Sequence, residues 1–152
     1  MSQRIKVLFV DDEMLYVEAL APALRRRGLE VEAVVRGEDA LAALSRSDDV
    51  DVVVLDLRLP GLSGIETLEA LRVRQAALPV LVLSGTADVV TSARALELGA
   101  ADVLLKPCDV ESLVAAIENA CERAGAACTE QAHDATARAP RRGSSPRGGR
   151  PR

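Results

Sequence analysis

Five short aliphatic runs, each separated from the next by a stretch of helical spacing, constrain this chain more than any other feature. The runs are Ile5–Val10, Glu30–Val35, Val50–Leu55, Pro79–Leu83 and Asp102–Leu105. They are rich in Val and Leu, and most do not alternate with polar residues. Such runs suit strands of a parallel sheet covered on both faces. Between them, Met14–Arg27, Glu38–Ser45, Gly64–Arg74 and Asp88–Leu98 carry apolar residues three and four apart, as one face of a helix requires. Gly28 and Gly99 close two of these helices. Pro22 lies inside the first and is expected to kink or weaken it. Asp109 can cap a last helix with a Val110, Leu113, Val114, Ile117 stripe. The pattern predicts an α/β fold, a doubly wound five-stranded parallel sheet.

That reading covers residues 1–124 as one domain. From about Gly125 the apolar pattern fades into Arg, Gly, Pro and Ser, and residues 125–152 are expected to form a disordered tail. Charge divides the same way. Residues 1–124 carry 13 basic and 21 acidic side chains; residues 125–152 carry 6 and 2. The basic tail has no aromatic residue to stack on a base, so a solvated segment is preferred to a nucleic-acid arm.

Composition removes several chemistries. The single histidine, His133, lies in the tail region, which excludes most histidine-based catalysis and any histidine-rich metal site. Cys108, Cys121 and Cys128 form no CxxC pair, so reduced thiols and a cytoplasmic setting are expected. The first apolar run is too short for a signal peptide or a membrane span. Neither a GxxxxGK[ST] loop nor a GxGxxG motif is present.

Polar residues stand at the ends of four of the five runs: Asp11 and Asp12, Asp56, Ser84, and Lys106. Each alone has an ordinary explanation. The acid pair can start a helix, Asp56 can open a loop, Ser84 can sit in a turn, and Lys106 can be a surface charge. In a parallel sheet, however, all strand C-termini share one edge, and ligands of open α/β sheets bind there. Three acids, a hydroxyl and an ammonium can therefore converge. Clustered carboxylates need a cation among them, and oxygen-only ligands suit Mg²⁺ or Mn²⁺. A carboxylate can also attack phosphorus and form an aspartyl phosphate.

The segments VDDE, LDLRLPGLSGIETL, LSGTAD and GAADVLLKPCD occur in this order and spacing. Over residues 4–124 the chain resembles the receiver domain of bacterial two-component response regulators. The resemblance implies the flavodoxin-like strand order 2-1-3-4-5. It implies that Asp56 accepts a phosphoryl group from a sensor histidine kinase or phosphotransfer protein. Asp12, Asp56 and the backbone carbonyl of Arg58 would hold Mg²⁺ directly, with Asp11 acting through water. Ser84 and Lys106 would hold the phosphoryl oxygens, and Lys106-Pro107 would be a cis peptide. Such a chain catalyses only its own phosphorylation and dephosphorylation. No effector domain follows, so a downstream protein is expected to dock on it.

One position departs from the family. An aromatic residue that turns inward on phosphorylation usually stands three residues before the lysine, where this chain has Val103. Switching would then fall to Ser84 and the loops. A phosphorylation-independent scaffold is the main alternative. An aspartate-nucleophile phosphatase is disfavoured, because Arg58 stands where its second Asp belongs. Glu13 and Arg58 are further expected to pair across the mouth of the site and shield the phosphorus from water.

Overall fold

A computed structural model describes residues 4–85 and 89–136, with residues 126–136 as backbone only. The elements run β1 (Lys6–Val10), α1 (Met14–Arg26), β2 (Glu30–Val34), α2 (Gly37–Arg46), β3 (Val52–Asp56), α3 (Gly64–Arg74), β4 (Val80–Ser84), α4 (Val89–Glu97), β5 (Asp102–Leu105) and α5 (Val110–Thr136). The strands form one sheet in the order β2-β1-β3-β4-β5, and every adjacent pair is parallel. This is the flavodoxin-like arrangement, with the chain reversing direction across the sheet between β1 and β3.

Alternate residues of the three central strands feed two cores. Val7, Phe9, Val52, Val54, Leu81 and Leu83 pack with Leu24 of α1 and with Leu113 and Ile117 of α5. Leu8, Val10, Val53, Leu55, Val80 and Val82 pack with Leu44 of α2, Leu68 and Leu71 of α3, and Ala95 of α4. Burial on both faces explains why these strands lack polar alternation. Each buried Leu or Val contributes about 1.5–3 kcal/mol of apolar transfer. The edge strand β2 is more exposed, with only Val31 and Val34 partly covered.

Helix ends follow local chemistry. At the end of α1, the Gly28 N–H donates to the Arg25 carbonyl and the Leu29 N–H to the Leu24 carbonyl. That double closure needs a left-handed residue, and Gly28 adopts φ +90°. α3 begins with a reciprocal cap: the Glu66 N–H donates to Ser63 Oγ, and the Ser63 N–H donates to the Glu66 carboxylate. Pro22 is accommodated inside α1.

Three boundaries correct the sequence reading. Asp56 and Ser84 are the last residues of their strands rather than the first of the loops, because their backbones remain in register with Leu83 and Leu105. The third correction concerns the tail. Residues 125–136 are helical, where disorder was expected from Gly125 onward. Ala-rich sequence offsets the cost of about 1 kcal/mol for one glycine inside a helix. The chain divides into two units, Met1–Cys121 and Glu122–Arg152. The expectation for positions 137–152 lies outside the described residues. Among the described residues, no helix is long and apolar enough to cross a membrane.

Candidate functional site

The C-terminal ends of β1, β3, β4 and β5 bring Asp11, Asp56, Ser84 and Lys106 to one edge of the sheet. Asp11 follows β1 directly and its N–H donates to the Val34 carbonyl, which fixes it beside β2. Asp11, Asp56 and Ser84 are buried, whereas Asp12 is exposed. The Lys106 N–H donates to the Ser84 carbonyl, so the last residue of β4 positions the lysine backbone. The Lys106-Pro107 peptide is cis.

Each buried acid divides its oxygens between backbone and lysine. Asp11 Oδ1 accepts the Glu13 N–H at 2.9 Å, while Oδ2 lies 2.8 Å from Lys106 Nζ. Asp56 Oδ1 accepts the Arg58 N–H at 3.2 Å, while Oδ2 lies 3.4 Å from the same ammonium. Lys106 Nζ also pairs with the Glu13 carboxylate and sits 4.8 Å from the centroid of the Tyr16 ring. The expected Glu13–Arg58 pair is corrected by this arrangement: the Glu13 carboxylate goes to Lys106. Two buried acids already hold the ammonium at that point, so a third oxygen meets a fixed partner. Arg58 itself is exposed.

Burial raises the pKa of Asp56 to about 6; the Arg58 N–H lowers it, the neighbouring Asp11 charge raises it, and Lys106 lowers it. Burial works against the Lys106 charge, but its bonds to Asp11 and Glu13 outweigh that and hold the ammonium above the ordinary lysine range. One carboxylate oxygen from each of Asp11, Asp12 and Asp56 lies within 4.8 Å of the others. An all-oxygen, all-anionic donor set of this size fits a hard divalent cation.

Three supporting residues escaped the sequence reading. Tyr16 accepts the Cys108 N–H on its hydroxyl at 3.1 Å and so ties α1 to the loop after Lys106. Gly64 brings the start of α3 against the end of β3; a Cβ there would lie 2.5 Å from the Asp56 carbonyl oxygen. Glu38 accepts the Leu62 N–H at 3.3 Å and steadies the loop after Asp56. A visible signal existed only for α3, in the Ser63-x-x-Glu66 spacing beside Gly64. Val103 is partly buried against the core that includes Val82 and Ala95.

Acids at the ends of β1 and β3 facing a lysine at the end of β5 are the arrangement the sequence motifs require, and the family model of the response regulator receiver domain matches residues 7–118. The chain belongs to that family. The sensory transduction protein RegX3 of Mycobacterium tuberculosis is 38% identical over 119 residues, covering 78% of this chain and 52% of that protein. The transcriptional regulatory protein ZraR of Salmonella typhimurium is 35% identical over 117 residues, covering 77% of this chain and 26% of its own length. This receiver domain thus spans about a quarter to a half of those curated relatives. A response regulator receiver protein from Pseudomonas putida superposes with a TM-score of 0.73 at 32% identity, covering 78% of this chain and 99% of that one. A receiver domain protein from Clostridium thermocellum gives 0.75 at 29% identity, covering 78% and 95%.

Proposed function

We propose that this receiver domain takes a phosphoryl group on Asp56 from a phosphohistidine of a sensor histidine kinase or phosphotransfer protein, and then docks a downstream protein. The observation that carries the reading is the position of Asp56: buried at the mouth of β3, with one oxygen anchored by the Arg58 N–H and the other facing Lys106. In the transfer, an Asp56 oxygen bonds to phosphorus, the phosphorus–nitrogen bond to imidazole breaks, and the departing imidazole nitrogen takes up a proton. A pKa of about 6 leaves Asp56 largely ionised at neutral pH, as a nucleophile must be. Lys106 and Ser84 are assigned to the phosphoryl oxygens.

Asp11, Asp12, Asp56 and the backbone carbonyl of Arg58 are the groups that would hold Mg²⁺ or Mn²⁺. The ion would neutralise charge on the transferring group. The chain then acts as an enzyme only on itself, and a cytoplasmic setting follows from a cytoplasmic donor. Val103 favours one second reading, a scaffold that docks without switching, because it lacks the aromatic that couples the site to the surface in relatives.

Incubation with acetyl phosphate and Mg²⁺, followed by intact-mass measurement, tests the proposal. One phosphate adduct is expected, removed by hydroxylamine and absent in Asp56→Asn or in EDTA. An adduct that survives hydroxylamine would place the phosphate on a hydroxyl and end this reading.

A further inference from the structure

We propose that Glu13 is a displaceable counter-ion for Lys106, holding the ammonium at the mouth of the site until a phosphoryl group on Asp56 takes its place. The inference rests on the phosphoacceptor reading above and adds a residue that reading does not use.

An ammonium has three N–H donors. Here it faces three carboxylates, Asp11 at 2.8 Å, Glu13, and Asp56 at 3.4 Å, with the Tyr16 ring 4.8 Å away. The ammonium hydrogen-bonds the Glu13 and Asp56 carboxylates and holds Asp11 Oδ2 as an ion-pair partner at 2.8 Å. Drawing it onto an oxygen of a phosphoryl group on Asp56 lengthens its contact with Glu13 or with Asp11.

The two partners differ in what release would cost. Asp11 is buried, and its second oxygen is already engaged by the Glu13 N–H. Removing the lysine from it would strand a buried carboxylate. Glu13 has a side chain 62% exposed, on a flexible stem. Water can rehydrate its carboxylate as soon as the lysine leaves. Glu13 is therefore the partner that yields. Its attraction for Lys106 favours the unphosphorylated site, so its charge and reach set part of the threshold for occupancy. The ordinary alternative is that Glu13 is a solvated acid with no effect on that balance.

Beryllofluoride, which mimics a phosphoryl group on a carboxylate, provides the test on the full chain at saturating Mg²⁺. Its affinity can be followed by backbone amide NMR. Glu13→Gln should bind roughly fivefold more tightly than wild type, the size of a partly exposed ion pair. Its thermal midpoint without the probe should be unchanged or slightly lower. Glu13→Asp keeps the charge but loses reach by one methylene, and should behave like the Gln variant. Equal or weaker binding by Glu13→Gln would overturn the inference, as would wild-type affinity in Glu13→Asp. Failure of wild type itself to bind beryllofluoride would instead overturn the phosphoacceptor reading.

Discussion

Lys106 Nζ lies 2.8 Å from Asp11 Oδ2, closer than its 3.4 Å approach to Asp56, and the side chains of both Lys106 and Asp11 are withdrawn from water. The lysine at the end of β5 is thus an ion-pair partner of the acid that follows β1 as well as of Glu13 and Asp56. Sheet order explains the reach. β1 and β5 are not neighbours, but β3 and β4 lie between them, and the long lysine stem crosses above the ends of both. The Lys106 charge inside this ring of acids offsets the repulsion among them.

Lys106→Ala should therefore destabilise the metal-free protein by about 3 kcal/mol, because it leaves Asp11 and Asp56 buried beside each other with no cation. A divalent ion can replace the lost charge. Mg²⁺ should raise the melting temperature of the variant by more than it raises that of wild type. Thermal scans with EDTA and with Mg²⁺ check this. A smaller Mg²⁺ shift in the variant would show that Lys106 does not compete with a cation for these oxygens.

Asp56 gives the domain a pH dependence of definite sign. Its carboxyl titrates near 6 in the fold and near 3.9 in an unfolded chain. The folded state therefore holds the proton more tightly, and this group's contribution to stability falls as pH rises from about 4 to 6. Above pH 6 the full penalty is present. In a chelating buffer, Asp56→Asn should be more stable than wild type by about 1–3 kcal/mol at pH 7.5, with the gain shrinking toward zero near pH 4. Urea titrations across that range measure it. A gain independent of pH would mean that burial does not strain the carboxylate.

The site's skeleton was legible because a parallel sheet turns sequence order into spatial convergence. Acids after the first and third runs and a lysine after the fifth can only meet at one edge. The extent of α3, Gly64–Arg74, was readable for a similar reason, since its apolar spacing and its start at Gly64 are both local. Other features depended on contacts that no spacing encodes. Glu13 is a long exposed acid that could reach Arg58 or Lys106, and only the packing of Asp11 around the ammonium selects between them. Tyr16 stands on α1 at a position that reads as ordinary core. The strand ends shifted by a residue because backbone pairing continues through Asp56 and Ser84 whatever their side chains. Helix α5 outran its apolar stripe because helical backbone needs good helix formers, and the Ala-rich stretch after Gly125 supplies them.

Tyr16 carries the last prediction. Its hydroxyl accepts the Cys108 N–H at 3.1 Å, and its ring lies 4.8 Å from Lys106 Nζ. Burial raises the Tyr16 pKa, while the Cys108 N–H and the Lys106 charge work the other way, so the phenol is neutral at physiological pH. The two contacts can be separated by substitution. Tyr16→Phe keeps the ring under the ammonium but leaves the partly buried Cys108 N–H without its acceptor, at a cost of about 1 kcal/mol. Tyr16→Leu loses the ring as well, for roughly 0.5–1 kcal/mol more. Hydrogen exchange at the Cys108 amide should quicken in both variants. The backbone and side-chain resonances of Lys106 should shift substantially only in Tyr16→Leu. Such a split would establish that α1 steadies the lysine through the ring and the loop through the hydroxyl. Unchanged exchange at Cys108 in Tyr16→Phe would remove the hydroxyl from that account.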